Sequence, residues 1–252
     1  MFLVFDTETT GLPKRWDAPI LDHGNWPRCI QIAWQLHDGF GNCIEHKDFT
    51  VTPDGFDIPF ESEQIHGIST ALATKEGSAI NAILADFTVA LAKSKYIIGH
   101  NVKFDVNIIG AELDRLGLDT SITKTPILDT CTEHTAALCQ IPGGRGGRFK
   151  LPTLSELYKQ LFDDSFDQVH NATADVEATA RTFFELLRQN KFPVNQITNG
   201  ELLVSRLNET FKKAVPLIGL SHTNLKAASA KLIKDMQAPD SCLLYTSPSP
   251  RD

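Results

Sequence analysis

The chain has 252 residues, 42% hydrophobic and 22% charged, enough for one good-sized domain or one domain plus a small appendage and the balance expected of an ordinary globular protein with a real core. No apolar run approaches the ~18 residues of a membrane-spanning helix, and residues 1–5 meet Asp6 without a basic start, so neither membrane anchorage nor a signal peptide is expected. Five cysteines without a Cys-x-x-Cys pair exclude a disulfide scaffold and fit the cytoplasm, while a net charge of −7 excludes wholesale electrostatic binding of nucleic acid.

Residues 2–5 form a short apolar run expected to be a buried strand. Residues 29–36 and 43–51 follow as strands, joined through the turn-rich stretch 37–42, an antiparallel start. Residues 79–92 carry Ile80, Ile83, Leu84, Phe87 and Leu91 at a helical period. A short strand at 96–99 leads into a second helix over about 102–116, where Val102, Val106, Ile109, Leu113 and Leu116 fall on one stripe. Residues 126–129 read as another brief strand. A last strong helix spans about 173–188, with Val176, Ala180, Phe183, Phe184 and Leu187 inward. Hairpin strands followed by strand–helix alternation imply an α/β fold with a mixed sheet flanked by helices.

Beyond about residue 190 the periodicity weakens. Residues 191–240 read as a basic helical or linker extension, with six basic against two acidic residues between Arg206 and Asp235. That local +4 leaves −11 for the remainder. Residues 241–252 contain Ser247-Pro248-Ser249-Pro250 and no periodicity; they are expected to be disordered and resemble translated adaptor sequence rather than native chain.

The chemistry concentrates in three places. Asp6 and Glu8, two apart at the end of the first apolar strand, project from one face. Two like charges held close there repel unless cations sit between them. Asp105 lies on the apolar stripe of its helix, where a carboxylate is costly without a partner; a first-turn residue favoured by the helix dipole is the other reading. Asp175 falls in the first turn of the last helix if Asn171 or Thr173 caps it, with His170 in the loop just before. Four carboxylates offer hard oxygen ligands suited to magnesium or manganese. Two such ions can serve both the attacking water and the leaving oxygen of a phosphodiester. A histidine side chain ordinarily titrates near neutrality, so His170 suits a general base. The pattern therefore reads as metal-dependent phosphodiester hydrolysis.

These residues carry a family resemblance. Residues 5–12, Phe-Asp-Thr-Glu-Thr-Thr-Gly-Leu, resemble the first motif of the DnaQ-like (DEDDh) 3′–5′ exonucleases. Residues 98–105 resemble the second motif, residues 170–175 the third in its histidine-bearing form, and residues 63–69 a segment common between the first two. The resemblance covers residues 1 to about 188 and implies a ribonuclease-H-like fold with a five-stranded mixed sheet over a 1–190 exonuclease domain. It implies two divalent metal ions held by Asp6, Glu8, Asp105 and Asp175, with His170 as general base. The main chain around Thr7, Thr9 and Thr10 would seat the terminal nucleotide with Leu12 as a wedge, and Asn101 and Phe104 of the second motif would face the substrate. His66 would either line the same pocket or serve as a packed structural histidine.

The wording of residues 12–19 and 129–135 also resembles the exonuclease region at the front of Bacteroidetes-type DNA polymerase III alpha chains. That implies proofreading on frayed or single-stranded DNA 3′ ends, with a polymerase portion or other replication subunits as partners. An RNA exonuclease of the RNase T or oligoribonuclease type shares the same catalytic residues, because sensing a 2′-hydroxyl depends on pocket shape. An inactive module of the same fold is the third reading. Two loops stand apart. Residues 13–30 contain Lys14, Arg15, Trp16, Trp26 and Arg28; they either contact single-stranded DNA or fold with their tryptophans tucked in. Residues 142–150 carry four glycines with Arg145, Arg148 and Lys150, lack a P-loop ending, and read as a mobile substrate-proximal loop.

Overall fold

The computed structural model describes residues 1–166 and 171–214. Five strands form one sheet in the order β3-β2-β1-β4-β5. They are β1 (Phe2–Thr9), β2 (Cys29–His37), β3 (Cys43–Thr50), β4 (Tyr96–Gly99) and β5 (Ile127–Asp129). β1 pairs antiparallel with β2, and β2 with β3, while β4 joins β1 and β5 joins β4 in parallel. The mixed sheet expected from the hairpin-then-crossover pattern is present, with β1 at its centre.

The helices are α1 (Phe60–His66), α2 (Thr70–Glu76), α3 (Ile80–Lys93), α4 (Lys103–Arg115), α5 (Glu133–Cys139), α6 (Leu154–Phe162), α7 (Ala172–Arg188) and α8 (Gly200–Ala214). Alternation along β1 divides the core. Phe2 and Val4 pack with Ile98 against Leu157, Val176, Phe183 and Phe184 of α6 and α7. Leu3 and Phe5 pack with Ile32, Trp34 and Ile97 against Leu84 and Phe87 of α3 and Val106 and Ile109 of α4. The sheet is therefore covered on both sides. Leu203, Val204 and Leu207 of α8 join the α6–α7 core, and Asn208 Nδ2 donates to the Arg188 carbonyl. Residues 215–240 and 241–252 lie outside the described residues.

The structure differs from the sequence expectation in two ways. β1 runs on to Thr9, so Asp6 and Glu8 lie within the strand rather than at its end; cross-strand bonds to β2 carry it past its apolar portion. Helices α1, α2, α5 and α6 were not foreseen, because seven to nine residues show little more than two turns of periodicity. Their capping did leave a trace: Thr132 with Thr135, and Thr153 with Glu156, form capping boxes at α5 and α6.

Candidate active site

The period of two in β1 decides which helix each site residue meets. Asp6 and Glu8 share the parity of Phe2 and Val4, the face covered by α7. Asp175, buried in the first turn of α7, comes to that same face. One ligand oxygen from each of Asp6, Glu8 and Asp175 lies within 4.8 Å of the others.

Thr7 has the opposite parity and turns toward α4. Its main-chain N–H and its hydroxyl both donate to Asp105 Oδ1, at 3.0 and 2.7 Å. Asp105 is buried in the first turn of α4, as its apolar stripe required, and these two hydrogen bonds are its compensation. The fourth carboxylate thus stands beside the other three, tied through β1 rather than grouped with them.

Electrostatics report the crowding. Burial, and then repulsion from Asp105, Asp175 and Glu8, push the Asp6 carboxyl well above its ordinary range. Burial and the charges of Asp175 and Asp105 raise Glu8 to about 8. Burial raises Asp105 to about 7 against the opposing pull of the Thr7 hydrogen bonds. Such a group cannot hold all its negative charges at neutral pH without positive charge between them. Oxygen-only donors at this spacing suit a hard divalent cation, so the residues present fit the metal ions that the motifs imply.

Three supports set the geometry. Asn171 caps α7, its Oδ1 accepting from Thr173 N and Ala174 N, which fixes Asp175 in the first turn. Gln31, directly across from Glu8 on β2, accepts from Ala172 N through Oε1 and donates from Nε2 to Asp48. It ties the start of α7 to the strand that faces Glu8. Asp129, at the end of β5, accepts from the main-chain N–H groups of Asn101, Val102 and Cys131. That holds Asn101 at a φ of 62° just ahead of α4. Gly99 permits this tight entry, because a Cβ there would sit 2.4 Å from the Val102 side chain. The sequence does not single out Gln31 or Asp129 as site residues; the signal for Gln31 was a polar side chain set between the apolar residues Ile30 and Ile32 of β2.

The remaining candidates are dispersed around this centre. The Thr9 hydroxyl donates to the Gly11 carbonyl, and Thr10 exchanges hydrogen bonds with Arg28. Leu12 is 73% exposed. Asn101 is exposed, and Phe104 is half-buried immediately before Asp105. His66 ends α1 with Nδ1 accepting from Ile68 N, which leaves the ring proton of the neutral form on Nε2. His170 lies outside the described residues. In the glycine-rich loop, Arg148 pairs with Glu133 and Lys150 with Glu156, so two of the three cations have carboxylate partners.

Comparison with known proteins matches this architecture. The family profile RNase_T, described as "Exonuclease", matches residues 3–183. The chain belongs to this family: it is a DnaQ-like 3′–5′ exonuclease. The DNA polymerase III epsilon subunit of Rickettsia conorii is 31% identical over 192 residues, 75% of this chain and 76% of the relative. The PolC-type DNA polymerase III of Streptococcus thermophilus is 29% identical over 216 residues, 84% of this chain but 13% of that polymerase. Among solved structures, the zinc-bound complex of E. coli exonuclease I with single-stranded DNA superposes with a TM-score of 0.59 at 23% identity. It covers 87% of this exonuclease chain, which in turn spans less than half of that enzyme (45%). That likeness shows the fold, a five-stranded mixed sheet with helices on both faces. No helix among the described residues is long and apolar enough to cross a membrane.

Proposed function

We propose that this exonuclease removes nucleotides from DNA 3′ ends as the proofreading activity of a replicative polymerase. The observation that carries the reading is the convergence of Asp6 and Glu8 of the central strand with Asp175 of α7, one ligand oxygen from each lying within 4.8 Å of the others. Similarity to the epsilon subunit and to a PolC-type polymerase supports replication as the setting, and a polymerase portion or other replication subunits as partners.

Asp6, Glu8 and Asp175 would hold one divalent ion, and Asp6 with Asp105 would assist a second. Magnesium or manganese bound there would supply Lewis acidity toward the scissile phosphate and the attacking water. The chain's own residues do the rest. Asp105, held by the Thr7 hydroxyl and main-chain N–H, would offer its carboxylate to the second ion. His170 accepts the proton of the attacking water. The main chain around Thr7, Thr9 and Thr10, together with Leu12, His66, Asn101 and Phe104, forms the surroundings of the terminal nucleotide.

The test compares paired DNA, mismatched DNA, single-stranded DNA and RNA of one sequence, each 5′-labelled, with magnesium or manganese. Stepwise shortening of DNA, fastest at frayed or mismatched 3′ ends and lost in Asp6→Ala, is the expected result. Faster shortening of RNA would assign the chain to RNA processing, and no shortening of any substrate would defeat the proposal.

A further inference from the structure

The loop between β1 and β2 separates its two tryptophans. Trp26 is buried (2% exposed), and its indole N–H donates to the Pro19 carbonyl at 3.0 Å. Trp16 is 54% exposed and lies against Phe104, with ring centroids 5.7 Å apart and planes at 52°. Phe104 directly precedes Asp105, so this ring pair adjoins the carboxylate site. The loop that presents Trp16 is pinned rather than loose. Buried Asn25 accepts from Arg15 N at 2.7 Å and donates to the Arg15 carbonyl at 3.0 Å, while its own carbonyl accepts from Lys14 N.

An indole left more than half in water beside a reaction centre loses the benefit of burying a large apolar surface. The loop holds it there although Trp26, ten residues on, is fully enclosed. Leu12, in the same loop, is also exposed. Lys14, Arg15 and Lys103 are exposed around it and form no ion pair among the described residues. Aromatic faces interleaved with unpaired cations are the chemistry that holds a single nucleic-acid strand: bases stack on rings while phosphates meet the charges.

We infer that Trp16, braced by Phe104, is a stacking platform for an unpaired base of the substrate strand next to the reacting 3′ end. The inference rests on the reading of the site as a nuclease that acts on single strands. The platform discriminates by base pairing rather than by sequence, because every base offers a π-face but a paired base is held in its duplex stack. It therefore favours frayed and single-stranded ends over fully paired ones.

Two measurements test this. In steady-state assays on single-stranded oligothymidylate, Trp16→Ala raises KM about tenfold, the scale of one lost base stack, with kcat within about twofold. Trp16→Phe keeps a ring and stays within about threefold of the parent KM. Trp16→Ala also narrows the preference for single-stranded over paired ends by the same factor. In the second measurement, an Asp6→Asn background with magnesium blocks turnover and intrinsic fluorescence is titrated with oligothymidylate. Among the three tryptophans, Trp26 and Trp34 are buried, so quenching reports Trp16. The signal change is expected in the Asp6→Asn parent and absent once Trp16→Phe is added. Unchanged KM in Trp16→Ala, or no quenching by the oligonucleotide, overturns the platform even if the enzyme digests DNA normally. Failure of the unaltered enzyme to digest DNA would instead overturn the proposed function, and quenching by the oligonucleotide would still decide the platform.

Discussion

Replacing Glu8 by glutamine removes one of the crowded charges while preserving the shape of the side chain, and its effect on stability should run opposite to its effect on activity. In the metal-free fold, burial and the charges of Asp175 and Asp105 hold the Glu8 proton up to about pH 8, against an ordinary value of 4.5. The folded chain therefore keeps a proton that the unfolded chain has released. Stability is fully present below pH 4.5 and falls as pH rises through the window up to about 8. Each pH unit across that window corresponds to about 1.4 kcal/mol, so at pH 7.5 the ceiling is about 4 kcal/mol. Water entry and side-chain relaxation reduce the expected gain of Glu8→Gln to about 2 kcal/mol. For a folded unit of this size that is a rise in Tm of about 4–8 °C. The assay is thermal unfolding in EDTA at pH 5 and pH 8, for both proteins. Glu8→Gln should match the parent at pH 5 and exceed it at pH 8, and manganese at pH 8 should raise the parent's Tm more than the variant's. Nuclease activity should be lost throughout. A variant less stable than the parent at pH 8 in EDTA, or a difference independent of pH, would refute the electrostatic account of the site.

Asp6→Ala and Asp175→Ala should each abolish hydrolysis while retaining cooperative unfolding, since both remove charge from the site rather than packing from the core; normal turnover by either would sink the carboxylate scheme. His170→Ala should slow hydrolysis by roughly 10²–10⁴-fold, with partial recovery as pH rises and hydroxide replaces the base; a rate unaltered across pH would remove His170 from the mechanism. Thr7→Val deletes the hydroxyl that favours ionised Asp105, so the acidic limb of the pH–rate profile should move upward by about one pH unit, and an unmoved limb would argue against that support. Gly99→Ala places a Cβ against Val102 at the entry to α4; the expected loss is about 1–3 kcal/mol, seen as a lower denaturation midpoint.

Local periodicity determined most of the scaffold and picked out all four carboxylates. Alternation along residues 2–8 sends Asp6 and Glu8 to one face whatever packs there, and the cap at Asn171 puts Asp175 in the first turn of α7, because both effects act over a few residues. The stripe of α4 likewise exposed Asp105 as a charge on an apolar face that needed a partner. Only the tertiary structure supplied that partner. Thr7 meets Asp105 because β4 carries α4 onto the opposite face of β1 from α7, a matter of chain crossover invisible in either segment alone. The Gln31 bond from β2 to the start of α7 has the same origin, linking residues 141 apart in sequence. The short helices α5 and α6 escaped notice because their stability comes from caps and neighbours more than from their own pattern. The two tryptophans of the β1–β2 loop make the division plainest. Identical side chains ten residues apart take opposite fates: Trp26 is enclosed in the core with Val106 and Ile109 of α4, whereas Trp16 lies half in water against Phe104.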